Sequence, residues 1–275
     1  MSFDKITERA SLYDNLQDMS AGELLCNINT EDKKVALAVE RAIPQITALV
    51  EAIIPRMKQG GRIFYIGAGT SGRLGVLDAS EIPPTYGMPQ GYVIGLIAGG
   101  YDALRRSIEG AEDDGGKGWT ELQEHGVNTL DTVIGLAASG TTPYVAGALR
   151  RCRESGILTA AVCCNPESPV AAEADIAIEA VTGPEFVTGS TRMKAGTAQK
   201  MILNMITSTV MIKIGRVKGN RMVNMQLTNK KLVDRGTRMI MEETELDYET
   251  SQRLLLLHGS VKSALDSLNE EGAVL

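Results

Sequence analysis

The residues best suited to chemistry form a glycine-rich loop between a strand pattern and a helix pattern. Residues 67–72 read Gly-Ala-Gly-Thr-Ser-Gly and follow a short apolar run at residues 63–66. A strand–loop–helix arrangement offers free backbone N–H groups and the positive end of a helix dipole to an anion. The hydroxyls of Thr70 and Ser71 lie in this loop. The sequence therefore predicts a binding loop for a small phosphorylated molecule.

Two further loops combine glycine with hydroxyl residues. Residues 138–143 follow the third apolar run, and residues 188–194 precede a long apolar segment. A lone Ser or Thr before a helix is most often an N-cap, but three such loops together outline a pocket for a phosphate and sugar hydroxyls. The candidate binding residues are Thr70, Ser71, Gly72, Ser139, Gly140, Thr142, Ser190 and Lys194, with Arg73 and Arg192 as additional charge partners.

Three carboxylates are candidates for acid–base chemistry. Glu81 lies about ten residues beyond the glycine loop, on a helix that Pro83 and Pro84 are expected to end. Glu112 lies in the acidic segment 108–114, which is expected near the end of a helix after the second strand. Glu185 follows a Gly-Pro pair. A solvated acidic face is the alternative interpretation of Glu112.

A parallel sheet is predicted to position these loops. Five short apolar runs alternate with helical segments, which is typical of an α/β domain with helices on both faces of the sheet. Ligands bind beyond the carboxyl ends of the strands in such sheets, where all three hydroxyl loops are expected. The strand order is left open. The predicted strands are residues 63–66, 92–97, 132–137, 158–163 and 176–178.

Helices are predicted on both sides of this three-layer α/β/α domain. A short helix is expected near residues 21–26, and a longer one begins at Thr30 as its cap, is divided by Pro44 and ends near Lys58. Residues 191–214 form an apolar helix, expected in the core or at a subunit interface. Three C-terminal helices are predicted at 227–243, 249–257 and 261–268. The predicted domains are 1–60, an N-terminal helical arm packed on the core; 61–222, the sugar-phosphate-binding domain; and 223–275, a small helical region.

Composition excludes several functions. A net charge of −6 and 4% aromatic residues argue against nucleic acid and anionic membranes as partners. No apolar run approaches the roughly 20 residues of a membrane helix, and no signal-peptide core is found, so a cytoplasmic protein is expected. Four cysteines without CxxC spacing and two histidines argue against a metal site. The second strand has no acid at its end to hold a ribose, which argues against a dinucleotide cofactor.

Three motifs resemble those of the N-acetylmuramic acid 6-phosphate etherases, which have the sugar-isomerase (SIS) fold. They are residues 67–85, 109–113 and 189–200, and the resemblance extends over roughly residues 20–245. It implies a bacterial enzyme of cell-wall sugar recycling that cleaves a lactyl ether with water, giving N-acetylglucosamine 6-phosphate and D-lactate. It also implies that no metal or organic cofactor is needed, and it suggests a homodimer.

The resemblance also implies roles for individual residues. Glu112 would be the base at carbon 2 of the ring-opened sugar, and Glu81 the acid at carbon 3 and then the base for water. Phosphate binding would fall on Thr70, Ser71, Ser139, Gly140 and Thr142. Two departures stand out: Thr141 replaces an arginine usual in the family, and the C-terminal helical region is expected to be shortened.

Two other functions on the same fold stay open. An aldose–ketose isomerase would use Glu185 as its base, whereas a sugar-phosphate-sensing regulator would bind without catalysis. One geometric question also stays open. Ten helical residues at about 1.5 Å each would place Glu81 about 15 Å from the glycine loop. Either a turn at Pro83 and Pro84 must fold Glu81 back, or the substrate is shared with a second subunit.

Overall fold

The computed structural model describes residues 3–227 and 229–272. The described residues form two compact units: the first contains residues 3–80 and 93–208, and the second contains residues 81–92, 209–227 and 229–272. The three domains inferred from the sequence stay a prediction, because compactness alone does not define a functional domain.

The first unit contains a five-stranded parallel sheet. The strands are β1 (Ile63–Gly67), β2 (Val93–Ile97), β3 (Thr132–Leu136), β4 (Leu158–Cys163) and β5 (Ile176–Glu179). All five predicted strands are confirmed, and their order is β2-β1-β3-β4-β5. In the register, Gly67 lies opposite both Ile97 and Leu136. The loops after β1, β2 and β3 therefore leave the sheet at the same edge.

Helices cover both faces of this sheet, as predicted. They are α1 (Ala21–Arg41), α2 (Ile43–Lys58), α3 (Gly69–Tyr86), α4 (Lys117–Glu124), α5 (Pro143–Glu154), α6 (Pro169–Ala172) and α7 (Lys194–Lys213). The three-layer SIS-type fold is confirmed. One core packs Phe64 and Ile66 of β1 and Val133 of β3 against Val145 and Leu149 of α5. The apolar runs form strands because pairing within the sheet satisfies their backbone N–H and C=O groups, while the helices on both faces bury their side chains.

The predicted start of the first long helix at Thr30 is wrong. α1 begins after Ser20, whose side chain accepts from the Glu23 N–H while the Glu23 carboxylate accepts from the Ser20 N–H. This capping box satisfies two N–H donors that the first turn would leave unpaired. Thr30 lies inside the helix, and its hydroxyl donates to the Cys26 carbonyl. The division at Pro44 is confirmed, since Pro44 lies in the first turn of α2.

The second unit contains a small helical cluster. Its helices are α8 (Lys230–Thr244), α9 (Tyr248–His258) and α10 (Val261–Gly272), close to the predicted bounds. A two-stranded antiparallel ribbon, β6 (Val217–Lys218) and β7 (Arg221–Met222), was not predicted, because two-residue strands leave no periodic pattern. The apolar core includes Val223, Ile240 and Leu255. Within the described residues, no helix is long and apolar enough to cross a membrane.

Candidate functional site

The glycine loop lies against the start of α7. The Ser71 hydroxyl donates to Gln199 Oε1 at 2.7 Å, and the Gln199 amide donates to the carbonyl of Val162 at 3.1 Å. A Cβ placed at Gly196 would lie 3.4 Å from the Thr70 methyl group. The first and third sequence motifs are therefore neighbours in the structure.

Gly72 explains how the helix after this loop can lie so close to the sheet. A Cβ at this position would come within 2.7 Å of the Ile97 side chain and 2.8 Å of the Gly67 carbonyl oxygen. Any larger residue would therefore move α3 away from β1. The close approach keeps the N–H groups of the first turn of α3 beside the strand ends, where an anion would bind.

The Ser139 loop forms a second part of the same edge. Ser139 Oγ lies 3.2 Å from Thr141 Oγ1. Thr141 stands where the family that the sequence resembles usually has an arginine, and here its hydroxyl is paired with that of Ser139. The Gly140 carbonyl accepts from the Val170 N–H at 2.9 Å. Thr142 precedes α5 at its N-cap position. The structure thus holds this loop between the starts of α5 and α6.

A cavity of about 380 Å³ opens beside the glycine loop. Arg73 lines it, and its guanidinium donates to the carbonyls of Leu104 and Arg106, each at 3.3 Å. Glu112 lines the same cavity. The full lining is Ala68, Gly69, Arg73, Ala98, Ala103, Ser107, Ile108, Glu109, Gly110, Ala111 and Glu112. The structure therefore brings one predicted catalytic carboxylate together with the loop predicted to bind phosphate.

Glu112 does not lie at the end of a helix, so that expectation is wrong. Only one 3-10 turn, Tyr101–Leu104, follows β2, and turns and bends lead from there to α4. Gly110 in this segment has a φ of +71°, which an α-helix does not allow. The side chain of Glu112 is exposed, whereas its carbonyl accepts from the Tyr144 N–H at 3.0 Å. The backbone is fixed, whereas the carboxylate faces solvent.

Glu81 lies on α3, and the expected helix end at Pro83 and Pro84 is wrong. α3 continues through both prolines to Tyr86, and the Gly87 N–H donates to the Pro83 carbonyl at 3.0 Å. Each proline removes one helical hydrogen bond, but the bonds made by the following residues continue the helix. Glu81 is exposed and belongs to the second unit. α3 therefore has no turn at the prolines that would fold Glu81 back.

The third hydroxyl loop contains a buried ion pair. Lys194 Nζ lies 2.6 Å from Glu31 Oε2, and the two side chains are only 2% and 3% exposed. Lys34 contacts the other oxygen of Glu31. Burial alone raises the pKa of Glu31, but the hydrogen bonds from Lys194 and Lys34 outweigh it and hold the pKa below its ordinary value. The positive charge of Lys194 is therefore balanced by the carboxylate of Glu31.

Glu185 caps α7. Its two oxygens accept the N–H groups of Lys194 and Ala195, each at 2.9 Å. Burial raises the pKa of Glu185, although these N–H groups favour the charged form. Ser190 and Arg192 lie in the turn before α7: the Ser190 N–H donates to the Val187 carbonyl, and Arg192 is exposed.

Two buried polar residues, Asp78 and Asn165, are not among the candidates that the sequence motifs predict. Asp78 of α3 accepts from the Tyr65 hydroxyl at 3.0 Å and from the Asn204 amide at 3.1 Å, and burial raises its pKa. Asn165 follows β4 and is fully buried. The sequence signal for the burial of Asp78 is its position on the same helix face as Gly75 and Ala79, which are also buried. In residues 3–227 and 229–272, no three His, Cys, Asp or Glu side chains cluster as metal ligands.

Comparisons with protein families and relatives agree with one another. The model described as glucokinase regulatory protein N-terminal SIS domain matches residues 45–153, and the SIS domain model matches 124–209. An N-acetylmuramic acid 6-phosphate etherase of Bacteroides thetaiotaomicron is 68% identical, over 97% of this chain and 96% of the relative. One from Porphyromonas gingivalis is 66% identical over 98% of both chains. One from Salmonella agona is 54% identical over 88% of this chain and 81% of the relative.

Solved structures show the same fold at low identity. A phosphoheptose isomerase from Neisseria gonorrhoeae has a TM-score of 0.54 at 14% identity, over 70% of this chain and 98% of the other. A protein from Escherichia coli has a TM-score of 0.51 at 17% identity, over 70% of this chain and 93% of the other. At these identities the likeness concerns the fold alone.

Proposed function

The chain belongs to the N-acetylmuramic acid 6-phosphate etherase family, and we propose that Glu112 and Glu81 carry out its reaction as base and acid. The enzyme is a carbon–oxygen lyase that cleaves the D-lactyl ether of N-acetylmuramic acid 6-phosphate with water. The products are N-acetylglucosamine 6-phosphate and D-lactate. The reaction serves the recycling of cell-wall amino sugars.

One observation carries the assignment of Glu112. Glu112 lines the same cavity as Arg73 and as Ala68 and Gly69 of the glycine loop, and all of these residues lie within the first unit. A sugar phosphate bound at the loop would therefore present its carbon chain to Glu112. Within the part of the chain that the structure describes, the exposed Glu112 makes no ion pair. It can therefore accept a proton from the substrate without first breaking one.

The proposed steps are elimination and then addition. Glu112 removes the proton at carbon 2 of the ring-opened sugar, which the neighbouring carbonyl acidifies, while Glu81 protonates the departing lactate oxygen. The bond between carbon 3 and oxygen breaks, and a carbon 2–carbon 3 double bond forms. Glu81, now a carboxylate, activates water, whose oxygen adds to carbon 3 as a proton returns to carbon 2. The steps use no metal or organic cofactor.

The phosphate is assigned to the glycine loop, which borders this cavity, and to the Ser139 loop. The N–H groups and hydroxyls at Thr70, Ser71 and Gly72 lie at the start of α3, where the helix dipole favours an anion. Ser139, Gly140 and Thr142 supply the second loop, and Arg73, which lines the cavity, is a candidate cation. Ser190 and Arg192 stay candidates for the sugar hydroxyls. Lys194 is better explained as the partner of Glu31.

Glu81 is assigned to a site shared between two subunits of a homodimer. The continuation of α3 through both prolines supports this assignment over a turn that would aim Glu81 at the loop of its own chain. Residues after Glu81 attach to the second unit, where the Gln226 N–H donates to the Pro84 carbonyl. A phosphorylated substrate also favours a cytoplasmic enzyme.

The reaction is tested with isotopically labelled water. The protein is incubated with N-acetylmuramic acid 6-phosphate in ¹⁸O-labelled D₂O, and both products are analysed by mass spectrometry. We expect the label in the carbon 3 hydroxyl of the sugar and deuterium at carbon 2, with unlabelled ether oxygen in D-lactate. Label in lactate instead would refute elimination–addition. Binding without lactate release would favour a sensing regulator.

The shared site is tested by mixing inactive variants. Glu81→Gln and Glu112→Gln proteins are unfolded together, refolded and assayed for D-lactate. If each site uses Glu112 of one subunit and Glu81 of the other, we expect about a quarter of wild-type activity, because half of the dimers are mixed and each has one intact site. No recovery would place both carboxylates in one chain.

The isomerase alternative finds no support at Glu185. Both of its oxygens cap α7, so proton transfer by this carboxylate would break two hydrogen bonds to backbone N–H groups. An isomerase assay with a hexosamine 6-phosphate is nevertheless a direct check. We expect no conversion between aldose and ketose.

A further inference from the structure

The N-terminal arm, defined here as residues 3–20, contacts the loops at the carboxyl ends of the strands. The backbone N–H of Thr7 donates to Asn165 Oδ1 at 3.0 Å, and the Asn165 amide donates back to Thr7 Oγ1 at 2.9 Å. Both residues are fully buried. Because they are 158 residues apart in the chain, this two-way bond fastens the arm to the loop after β4.

Asn165 is also bound to the Ser139 loop. Its amide nitrogen lies 2.9 Å from the Ser139 carbonyl oxygen and 3.4 Å from that of Ala138. The side chain therefore bridges two segments: it holds Thr7 on one side and the backbone of Ser139 on the other. The carbonyl that it holds belongs to the residue whose hydroxyl is assigned to the substrate.

We propose that Asn165 and Thr7 are positioning residues that fix the Ser139 loop for phosphate binding. The inference rests on the proposed function of that loop. The amide donates two N–H groups, and buried donors need partners. If Thr7 loses its hydroxyl, one N–H is left unpaired and Asn165 can turn, so the Ser139 carbonyl is no longer held. A shift of about 1 Å in a binding group is enough to weaken recognition.

Ser11 fastens the arm to a different segment. Ser11 donates to the Phe186 carbonyl at 2.8 Å, and its N–H donates to the Thr188 hydroxyl at 2.9 Å. These bonds fasten the arm to the segment before α7. Thr7 can therefore be changed while the arm stays attached, which separates the effect on the Ser139 loop from loss of the whole arm.

The test compares Thr7→Val with the wild type in the D-lactate assay. We expect the KM for N-acetylmuramic acid 6-phosphate to rise about tenfold, with kcat within about twofold, because binding is weakened and the carboxylates are untouched. Inhibition by inorganic phosphate should weaken by a similar factor. Thr7→Ser, which keeps the hydroxyl, should restore the KM. Asn165→Asp should raise the KM further, since it places a carboxylate against the Ser139 carbonyl.

Thr159→Val is the matched control. Thr159 is also fully buried, and its hydroxyl bonds Asp175 at 2.8 Å, but it lies near the amino end of β4, away from the loops. We expect a similar fall in Tm with an unchanged KM. An equal rise in KM in Thr159→Val would assign the effect to general destabilisation and overturn the proposal.

Ser139→Ala separates failure of this inference from failure of the proposed function. If Ser139→Ala raises the KM and Thr7→Val does not, the positioning role is refuted and the phosphate loop stands. If Ser139→Ala leaves the KM unchanged, the phosphate role of the loop fails and this inference fails with it. Release of D-lactate by the wild type tests the reaction independently of both results.

Discussion

The groups assigned to binding and the groups assigned to catalysis differ in how the protein holds them. In the binding loops, Ser71 is buried, as are Asn165 and Lys194, which hold the loops in place, and each has a partner from a distant part of the chain. Glu81 and Glu112 are exposed. Buried hydrogen bonds fix a binding loop before the substrate arrives, whereas an exposed carboxylate acquires its environment only when substrate covers it. The binding loops are therefore preorganised, whereas the two acids are not.

The largest expected effect concerns the exposed carboxylates. Glu112→Gln should lower turnover about 10³-fold, because general acid–base catalysis contributes factors of this size. Its Tm should not change, since the side chain is exposed. D-lactate release and thermal unfolding measure the two quantities. Asp113→Asn, one residue away and also exposed, is the control and should keep wild-type turnover. Full activity in Glu112→Gln would remove it from the mechanism.

The second effect concerns the buried pair. Lys194→Met should lower the free energy of unfolding by about 3 kcal/mol, because Glu31 is left buried with the half-exposed Lys34 as its remaining cation and the Tyr13 hydroxyl as a neutral donor. Urea denaturation measures this loss. Lys34→Met, which removes the exposed cation, should cost at most about 1 kcal/mol. A strong rise in KM with unchanged stability would instead place Lys194 at the substrate phosphate and break the distinction between the two regions.

The third effect concerns the contact between α5 and the segment that follows Glu112. A Cβ on Gly147 of α5 would meet the Gly115 carbonyl oxygen at 1.8 Å, so the backbone after Glu112 must move in Gly147→Ala. We expect a loss of about 2 kcal/mol in stability, as for other overpacked sites, together with a lower kcat.

Gly22→Ala in α1 is the matched substitution for Gly147→Ala, because no atom lies within 4 Å of its added Cβ. It should not destabilise the protein. Equal stability and turnover in the two alanine variants would show that the Gly115 contact does not position Glu112.

The smallest effect is a pH dependence of stability. The folded pKa of Glu31 is below its ordinary value of 4.5, so its contribution is fully present above about pH 4.5 and is lost as the pH falls through the folded pKa. Acidification from pH 6 to pH 4 should therefore destabilise the wild type more than Glu31→Gln, measured as Tm. Asp78 and Glu185 have raised pKa values and the opposite sign, and both proteins retain them. Parallel curves would contradict the prediction.

Local patterns in the sequence were enough for much of the fold. The five strands lie within a residue or two of their predicted bounds, because continuous apolar runs are local signals. The predicted start of α1 at Thr30 is wrong, although the Ser20 and Glu23 capping box is also a local signal. The helix expected around Glu112 was wrong because its glycines favour turns.

The sequence by itself determined the fold class, the hydroxyl loops and the carboxylates that identify the family, since each depends on residue types a few positions apart. Only the tertiary structure decided the strand order, the partners of Lys194 and Asp78, and the bridge from Thr7 through Asn165 to Ser139. Glu31 and Lys194 are 163 residues apart, and no local pattern predicts which buried donor will meet which acceptor. Burial requires every such group to find a partner, and the packing of distant segments decides which one it finds.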